Sequence, residues 1–90
     1  MIMLRRACLI GVGHSLPIRV VENREFEKWT ETSDEWITSR SGIKRRHFAA
    51  PGQTTSGLAI EAAKAALMDA NIDGSEIDAI IVATSTPDTT

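Results

Sequence analysis

The chain has 90 residues, 42% hydrophobic and 24% charged, the make-up of one small globular domain or of part of a larger one. A formal net charge of −2 gives no general pull toward nucleic acid or acidic membranes, so neither is expected as a partner. The single cysteine, Cys8, excludes an intramolecular disulfide and a cysteine-built zinc site, and it fits a reducing compartment.

The N-terminal Met-Ile-Met-Leu-Arg-Arg carries its charges after the first apolar residues, and Gly11 and Gly13 break the next apolar run. Neither a signal peptide nor a membrane span is expected, which predicts a soluble, cytoplasmic chain. Residues 7–12 (Ala-Cys-Leu-Ile-Gly-Val) predict a short buried strand, with Gly13 and Pro17 marking its exit. Ile18, Val20 and Val21 add a short extended piece. Asn23 reads as the N-cap of a short helix over 24–29, with Glu25 and Glu27 near its positive end and Phe26 and Trp29 on one face.

Thr32 or Ser33 starts a second short helix, where Thr32-Ser33-Asp34-Glu35 fits a capping box with Glu35 reaching back to the cap. Gly42 suits a left-handed stop. Residues 43–48 predict a short exposed strand in which Ile43, Arg45 and His47 alternate with Lys44, Arg46 and Phe48, and Pro51-Gly52 ends it. Thr54, Thr55 or Ser56 caps the longest helix, which ends near Ala70. Its apolar stripe is Leu58, Ala59, Ala62, Ala63, Ala66, Leu67 and Ala70. The alanines leave little bulk, so this face can lie close to a sheet or another helix. Asn71 suits the C′ position and Asp73-Gly74 a turn.

Residues 79–83 (Ala-Ile-Ile-Val-Ala) run apolar without alternation, which predicts a strand covered on both faces, as in a parallel sheet. Strand, helix and strand in this order predict a right-handed βαβ crossover. About forty residues separate Gly13 from Thr54, a connection long enough to expect function in it. Two strands and one long helix do not cover a strand on both faces. The expectation is therefore an incomplete portion of a larger α/β domain, not a small domain complete in itself.

Thr32, Trp36 and Arg40 are spaced i, i+4, i+8 in that connection, one face of a helix. An indole stacks on a planar base and a guanidinium grips phosphate through paired hydrogen bonds. Spacing alone equally allows a Trp packed in a local core with a solvated Arg40 beside it. Lys44, Arg45, Arg46 and His47 form a basic run, either a solvated face or a contact for phosphate or an acidic carrier. Gly11-Val12-Gly13 is not a dinucleotide loop, since position 16 is Leu16 and Pro17 opposes the helix that should follow. Cys8 reads as an inert buried thiol. His14 and His47 have no partner at catalytic or metal spacing, and no metal site is expected.

Three stretches carry a resemblance: Gly11-Val12-Gly13-His14-Ser15-Leu16-Pro17, the run from Thr32 to His47, and Val82-Ala83-Thr84-Ser85-Thr86-Pro87-Asp88. Together, in order and across essentially the whole chain, they resemble the N-terminus of β-ketoacyl-acyl-carrier-protein synthase III. The resemblance implies that residues 1–90 are a partial N-terminal thiolase-like domain, an incomplete portion of a five-layered αβαβα sandwich. It implies a homodimeric acyltransferase that condenses an acyl-CoA, often acetyl-CoA, with malonyl-acyl-carrier protein to start type II fatty-acid synthesis.

Carried over residue by residue, Trp36 would stack on the adenine of coenzyme A, Thr32 would hydrogen-bond that base and Arg40 would approach the phosphates. Acyl-CoA is then a substrate, and no cofactor is expected. The family's catalytic cysteine, histidine and asparagine match no position in this sequence, and Cys8 does not stand where the nucleophile would. The chain is expected to be a fragment without synthase activity alone. A second possibility stays open: a small non-catalytic α/β module whose basic strand and Trp29/Trp36 pair contact an acidic partner such as acyl-carrier protein.

Overall fold

Residues 4–89 are described by a computed structural model; the first three residues and Thr90, with the sequence readings that touch them, lie outside it. The described chain divides into two units, Leu16–Gln53 and a second formed by 4–15 together with 54–89.

In Leu16–Gln53 the β-branched pair Val20-Val21 lies in a strand, β1 (Arg19–Glu22), that turns directly into helix α1 (Asn23–Phe26). Helix α2 (Asp34–Ser41) and strand β2 (Arg45–Phe48) follow. The two strands pair antiparallel in the register Arg19↔Phe48, Val20↔His47, Val21↔Arg46 and Glu22↔Arg45. The expected alternation holds along β2: Arg45 and His47 are exposed, Arg46 and Phe48 half-buried.

Asn23 is not the cap of α1, as its type suggests. The cap position is Glu22, with no side-chain cap bond, and Asn23 opens the helix with its amide drawn inward. Beyond Phe26 the chain tightens into bonds such as Lys28 N–H to Glu25 C=O and Trp29 N–H to Phe26 C=O, so the helix is shorter than expected. Phe26 and Trp29 do share a face, at 5.2 Å and edge to face, and Phe48 completes the group at 6.0 Å from Phe26 and 6.3 Å from Trp29.

In the other unit, helix α3 (Thr55–Ala70) is capped by Thr54, whose Oγ1 accepts from the Gly57 N–H at 3.0 Å. Asn71 ends it in the left-handed region at φ 56°, as expected of a C-terminal Asn. A single 3-10 turn, Gly74–Glu76, follows, closed by a capping box between Asp73 and Glu76. Asp88 returns to the start of α3. Its carboxylate accepts from the Ser56 N–H at 3.1 Å and from the Ser56 hydroxyl, while the Thr55 hydroxyl donates to the Thr86 carbonyl at 2.5 Å. A carboxylate there also faces the positive end of the helix dipole.

The alanine face of α3 meets the glycines of the first apolar run. A Cβ on Gly11 would stand 2.6 Å from the Ala66 carbonyl oxygen and 2.7 Å from the Ala70 methyl. One on Gly13 would stand 2.5 Å from the Ala62 carbonyl oxygen and 2.8 Å from the Ala65 methyl. Backbone and methyl groups cannot rotate away, so only glycine allows this approach. The Val12 N–H fixes the same contact by donating to Asp69 at 3.0 Å.

Two expectations fail in this unit. Residues 7–12 and 79–83 form no strand ladder among the described residues, and Cys8 is exposed, not a buried thiol. Leu9, Ile80 and Ile81 are 92%, 82% and 92% exposed, so the face-to-face cover expected of 79–83 is not there. A single helix covers one side of such segments. A ladder and a second layer need partners that the described residues do not provide.

Replacing Gly13 or Gly11 by Ala is expected to lower stability by about 1–3 kcal/mol, the usual range for overpacking. Urea denaturation followed by circular dichroism measures it; unchanged midpoints for both variants would mean that the close approach is not a constraint.

Candidate functional site

The segment entering α2 explains why a helix forms there. Ser33 has extended backbone (φ −145°, ψ 158°) and its Oγ accepts from the Trp36 N–H at 3.1 Å, so Ser33 and not Thr32 is the N-cap. The position that closes a capping box is then Trp36, which has no carboxylate to return, and the Glu35 box does not form. Asp34 and Glu35 lie in the first turn, where the helix dipole favours negative charge. Gly42 stops the helix in the left-handed region at φ 73°, its N–H bonding the Thr38 carbonyl at 2.8 Å.

Trp36 and Arg40 stand one turn apart on α2, and the Arg40 guanidinium carbon lies 5.4 Å from the indole centroid. Trp36 is 56% exposed, and it is the chain's one aromatic outside the Phe26–Trp29–Phe48 group. Among the described residues the ion pairs are Arg19–Glu25, Arg24–Glu22 and Lys64–Glu61, so no carboxylate takes up the charge of Arg40. Thr32 is half-buried but precedes the cap, so helical spacing does not place it on the face of Trp36 and Arg40. An aromatic plate beside an uncommitted guanidinium can hold a flat ring and an anion together. The open cleft of about 580 Å³ beside α2 is lined by Asp34, Thr38 and Lys44 and not by Trp36 or Arg40.

The opposite side of α2 is anchored. The Asn23 amide nitrogen donates to Asp34 Oδ1 at 2.9 Å, Thr38 Oγ1 at 3.2 Å and the Ile43 carbonyl at 2.9 Å. Its oxygen accepts from Arg46 at 2.6 Å, and its own N–H reaches the Lys44 carbonyl at 3.2 Å. Asn23 is 1% exposed; with Val21 it is the fully buried side chain of the described residues. Arg46 also donates to the Val21 carbonyl at 3.2 Å and lies 4.6 Å over the Phe26 ring. His47 Nδ1 is 2.6 Å from the Pro17 carbonyl. Of the basic run, then, Arg46 and His47 are engaged inside the unit, while Arg45 is exposed beside the cleft with Lys44.

Known proteins match this chain over nearly its whole length. The chain is 66% identical over 88 residues to the β-ketoacyl-[acyl-carrier-protein] synthase III of Rhodobacter capsulatus, covering 98% of this chain and 27% of that protein. It is 62% identical over 87 residues to the enzyme of the same name from Paracoccus denitrificans, covering 97% of this chain and 27% of that protein. Nearly the whole chain therefore matches part of a β-ketoacyl-acyl-carrier-protein synthase III. It spans about a quarter (27%) of the length of these relatives.

Solved structures agree. The synthase III of Aquifex aeolicus matches with a TM-score of 0.64 at 49% identity, over 70% of this chain and 20% of that one. The priming β-ketosynthase of the R1128 polyketide pathway matches with a TM-score of 0.72 at 38% identity, over 78% of this chain and 21% of that one. The described residues are thus a partial α/β piece of the thiolase-like fold that synthase III shares with such ketosynthases. No protein-family model matches the chain. Among the described residues no helix is long and apolar enough to cross a membrane, and no three His, Cys, Asp or Glu side chains gather as a metal site.

Sequence reasoning missed Asn23, Asp34, Thr38 and Arg46 as a set. Asn23 is 11 to 23 residues from its side-chain partners, and no local pattern links them.

Hydrogen bonds from Asn23 first, and then from Thr38, hold the Asp34 carboxyl below the ordinary aspartate range. A lowered folded-state value stabilises above the unfolded-state pKa, and that contribution is lost as pH falls through the folded-state value. Acidification below about pH 4 is therefore expected to loosen α2. Asp34→Asn is expected to flatten that part of the acid titration of tryptophan fluorescence; an acid limb identical to wild type would exclude the anchor.

Proposed function

We propose that this chain works within a synthase III, an acyltransferase that condenses acyl-CoA with malonyl-acyl-carrier protein, and that α2 supplies one wall of the coenzyme A nucleotide site. The identity of 66% over 88 residues to a named synthase III carries the enzyme assignment. The exposed Trp36 with Arg40 at 5.4 Å supports the site. The indole would stack on adenine, Arg40 would pair with the phosphates, and Thr32, next to the cap, would hydrogen-bond the base. A guanidinium suits that role better than an ammonium because it both stacks and binds phosphate bidentately.

Acyl-CoA enters as a substrate, and no resident cofactor is assigned. The acyl group would pass to a cysteine as a thioester, and decarboxylation of the malonyl unit would generate the carbanion that attacks it. No residue here is given those steps; exposed Cys8 is not promoted to the nucleophile. The whole enzyme would be a cytoplasmic homodimer, with malonyl-acyl-carrier protein as its protein partner.

Likeness to the R1128 priming β-ketosynthase favours, as the alternative, a related priming condensation. Profiling acyl-CoA donors against carrier proteins separates the two. The non-catalytic acidic-partner module is weakened because Arg46 and His47 of the basic strand are bonded within their own unit.

In the complete synthase, Trp36→Ala is expected to raise the KM for acyl-CoA about 5- to 150-fold, the equivalent of a stacked base worth roughly 1–3 kcal/mol. Steady-state kinetics measure it, and an unchanged KM would remove the stacking role. The 90-residue chain alone is expected to show no condensation in the same assay.

A further inference from the structure

On a helix, residues two apart lie about 200° apart around the axis, at about 100° per residue. Asp34 and Thr38 share one side of α2, and Trp36 and Arg40 share the other. The first pair is held by the Asn23 amide, at 2.9 and 3.2 Å, and is locked internally by the Thr38 hydroxyl donating to Asp34 at 3.1 Å. The same amide nitrogen holds the Ile43 carbonyl just past the helix stop, and the amide oxygen takes Arg46 from β2. One buried side chain therefore ties both ends of α2 to the sheet.

We propose that Asn23 is a positioning residue for the coenzyme A grip, setting the rotation of α2 and so the bearing of Trp36 and Arg40, an assignment that rests on the coenzyme A site proposed above. No contact between Asn23 and the nucleotide is involved. Without the amide, α2 keeps its Ser33 and Gly42 caps and the Asp34 N–H bond to Glu27 at 3.3 Å, but it loses the side-chain bonds that fix which way its outer face is turned. A turn of a few tens of degrees moves an indole edge by ångströms, enough to lose a stack that depends on ring overlap. The carboxamide suits the task because it donates to Asp34, Thr38 and Ile43 and accepts from Arg46 at one point; Ala can do neither, ionised Asp only accepts, and Ser has a single donor for the three acceptors.

The test uses the complete synthase with two acyl donors, acetyl-CoA and acetyl-pantetheine, the second lacking the nucleotide and its phosphates. Asn23→Ala is expected to raise the KM for acetyl-CoA about fivefold or more. It should leave kcat, and kcat/KM for acetyl-pantetheine, within about twofold of wild type. Trp36→Ala should show the same selectivity. If Trp36→Ala discriminates between the donors and Asn23→Ala does not, the positioning role falls and the coenzyme A site stands. Equal loss on both donors for Asn23→Ala also overturns the role, since the residue would then act on the fold at large. If Trp36→Ala itself fails to discriminate, the coenzyme A site falls and this inference with it. Should Asn23→Ala not yield folded enzyme, Thr38→Val decides. It removes only the Thr38 hydroxyl from the network and is expected to raise the KM for acetyl-CoA by at least about twofold, with acetyl-pantetheine unaffected; no selectivity would overturn the role.

Discussion

The Leu16–Gln53 unit depends on the buried amide of Asn23. Its two N–H donors serve three acceptors, so one is shared, and its oxygen takes a guanidinium. The orientation of that amide is not arbitrary: the Ile43 carbonyl can only accept and Arg46 can only donate, which fixes nitrogen and oxygen. In so small a unit few apolar groups are withdrawn from water, with Val21 alone fully buried beside Asn23. A directional network then does what close packing does elsewhere, and it selects one arrangement of strand, helix and turn. An unsatisfied partner in it would cost about 1–3 kcal/mol, a large share of what a unit this size can have.

That network also sorts the cations. Arg40 and Arg46 are the same residue type, six positions apart, on either side of the Gly42 stop. Arg46 lies inside the sheet register opposite Val21, bonded to Asn23 and stacked over Phe26, and its charge serves the fold. Arg40 projects from the outer side of α2 over Trp36 and pairs with no carboxylate among the described residues. One arginine is bonded into the platform, and the other lies against an exposed indole outside it. The aromatics divide in the same way, with Phe26, Trp29 and Phe48 gathered together and Trp36 apart.

The unit formed by 4–15 and 54–89 is built on proximity instead. Gly11 and Gly13 let an extended backbone approach the small face of α3 closer than any side chain would permit. Dispersion gains from that approach come at no rotamer cost, because glycine and alanine have no side-chain rotamers to freeze. The opposite result holds for Leu9, Ile80 and Ile81, whose apolar surface faces open solvent. Exposure of this extent on β-branched and leucine side chains is what an isolated layer of a multilayered fold presents.

Much was determined by the sequence alone. Local signals placed α2 and its glycine stop, the long alanine helix with its cap within 54–56 and its Asn71 end, the alternation along β2 and the Phe26–Trp29 contact, because each follows from residues close in sequence or from the two-residue period of an extended chain. The likeness to synthase III, too, was legible in three short runs in order along the chain. Only the tertiary structure decided which Arg is structural, that Thr32 stands off the helix, that Asn23 is a hub and not a cap, and that residues 7–12 and 79–83 carry no ladder. The reason is common to all four. Each depends on partners far along the chain, or on layers that a strand needs but cannot encode in its own residues, and side-chain type fixes what a group can bond to without fixing what it meets.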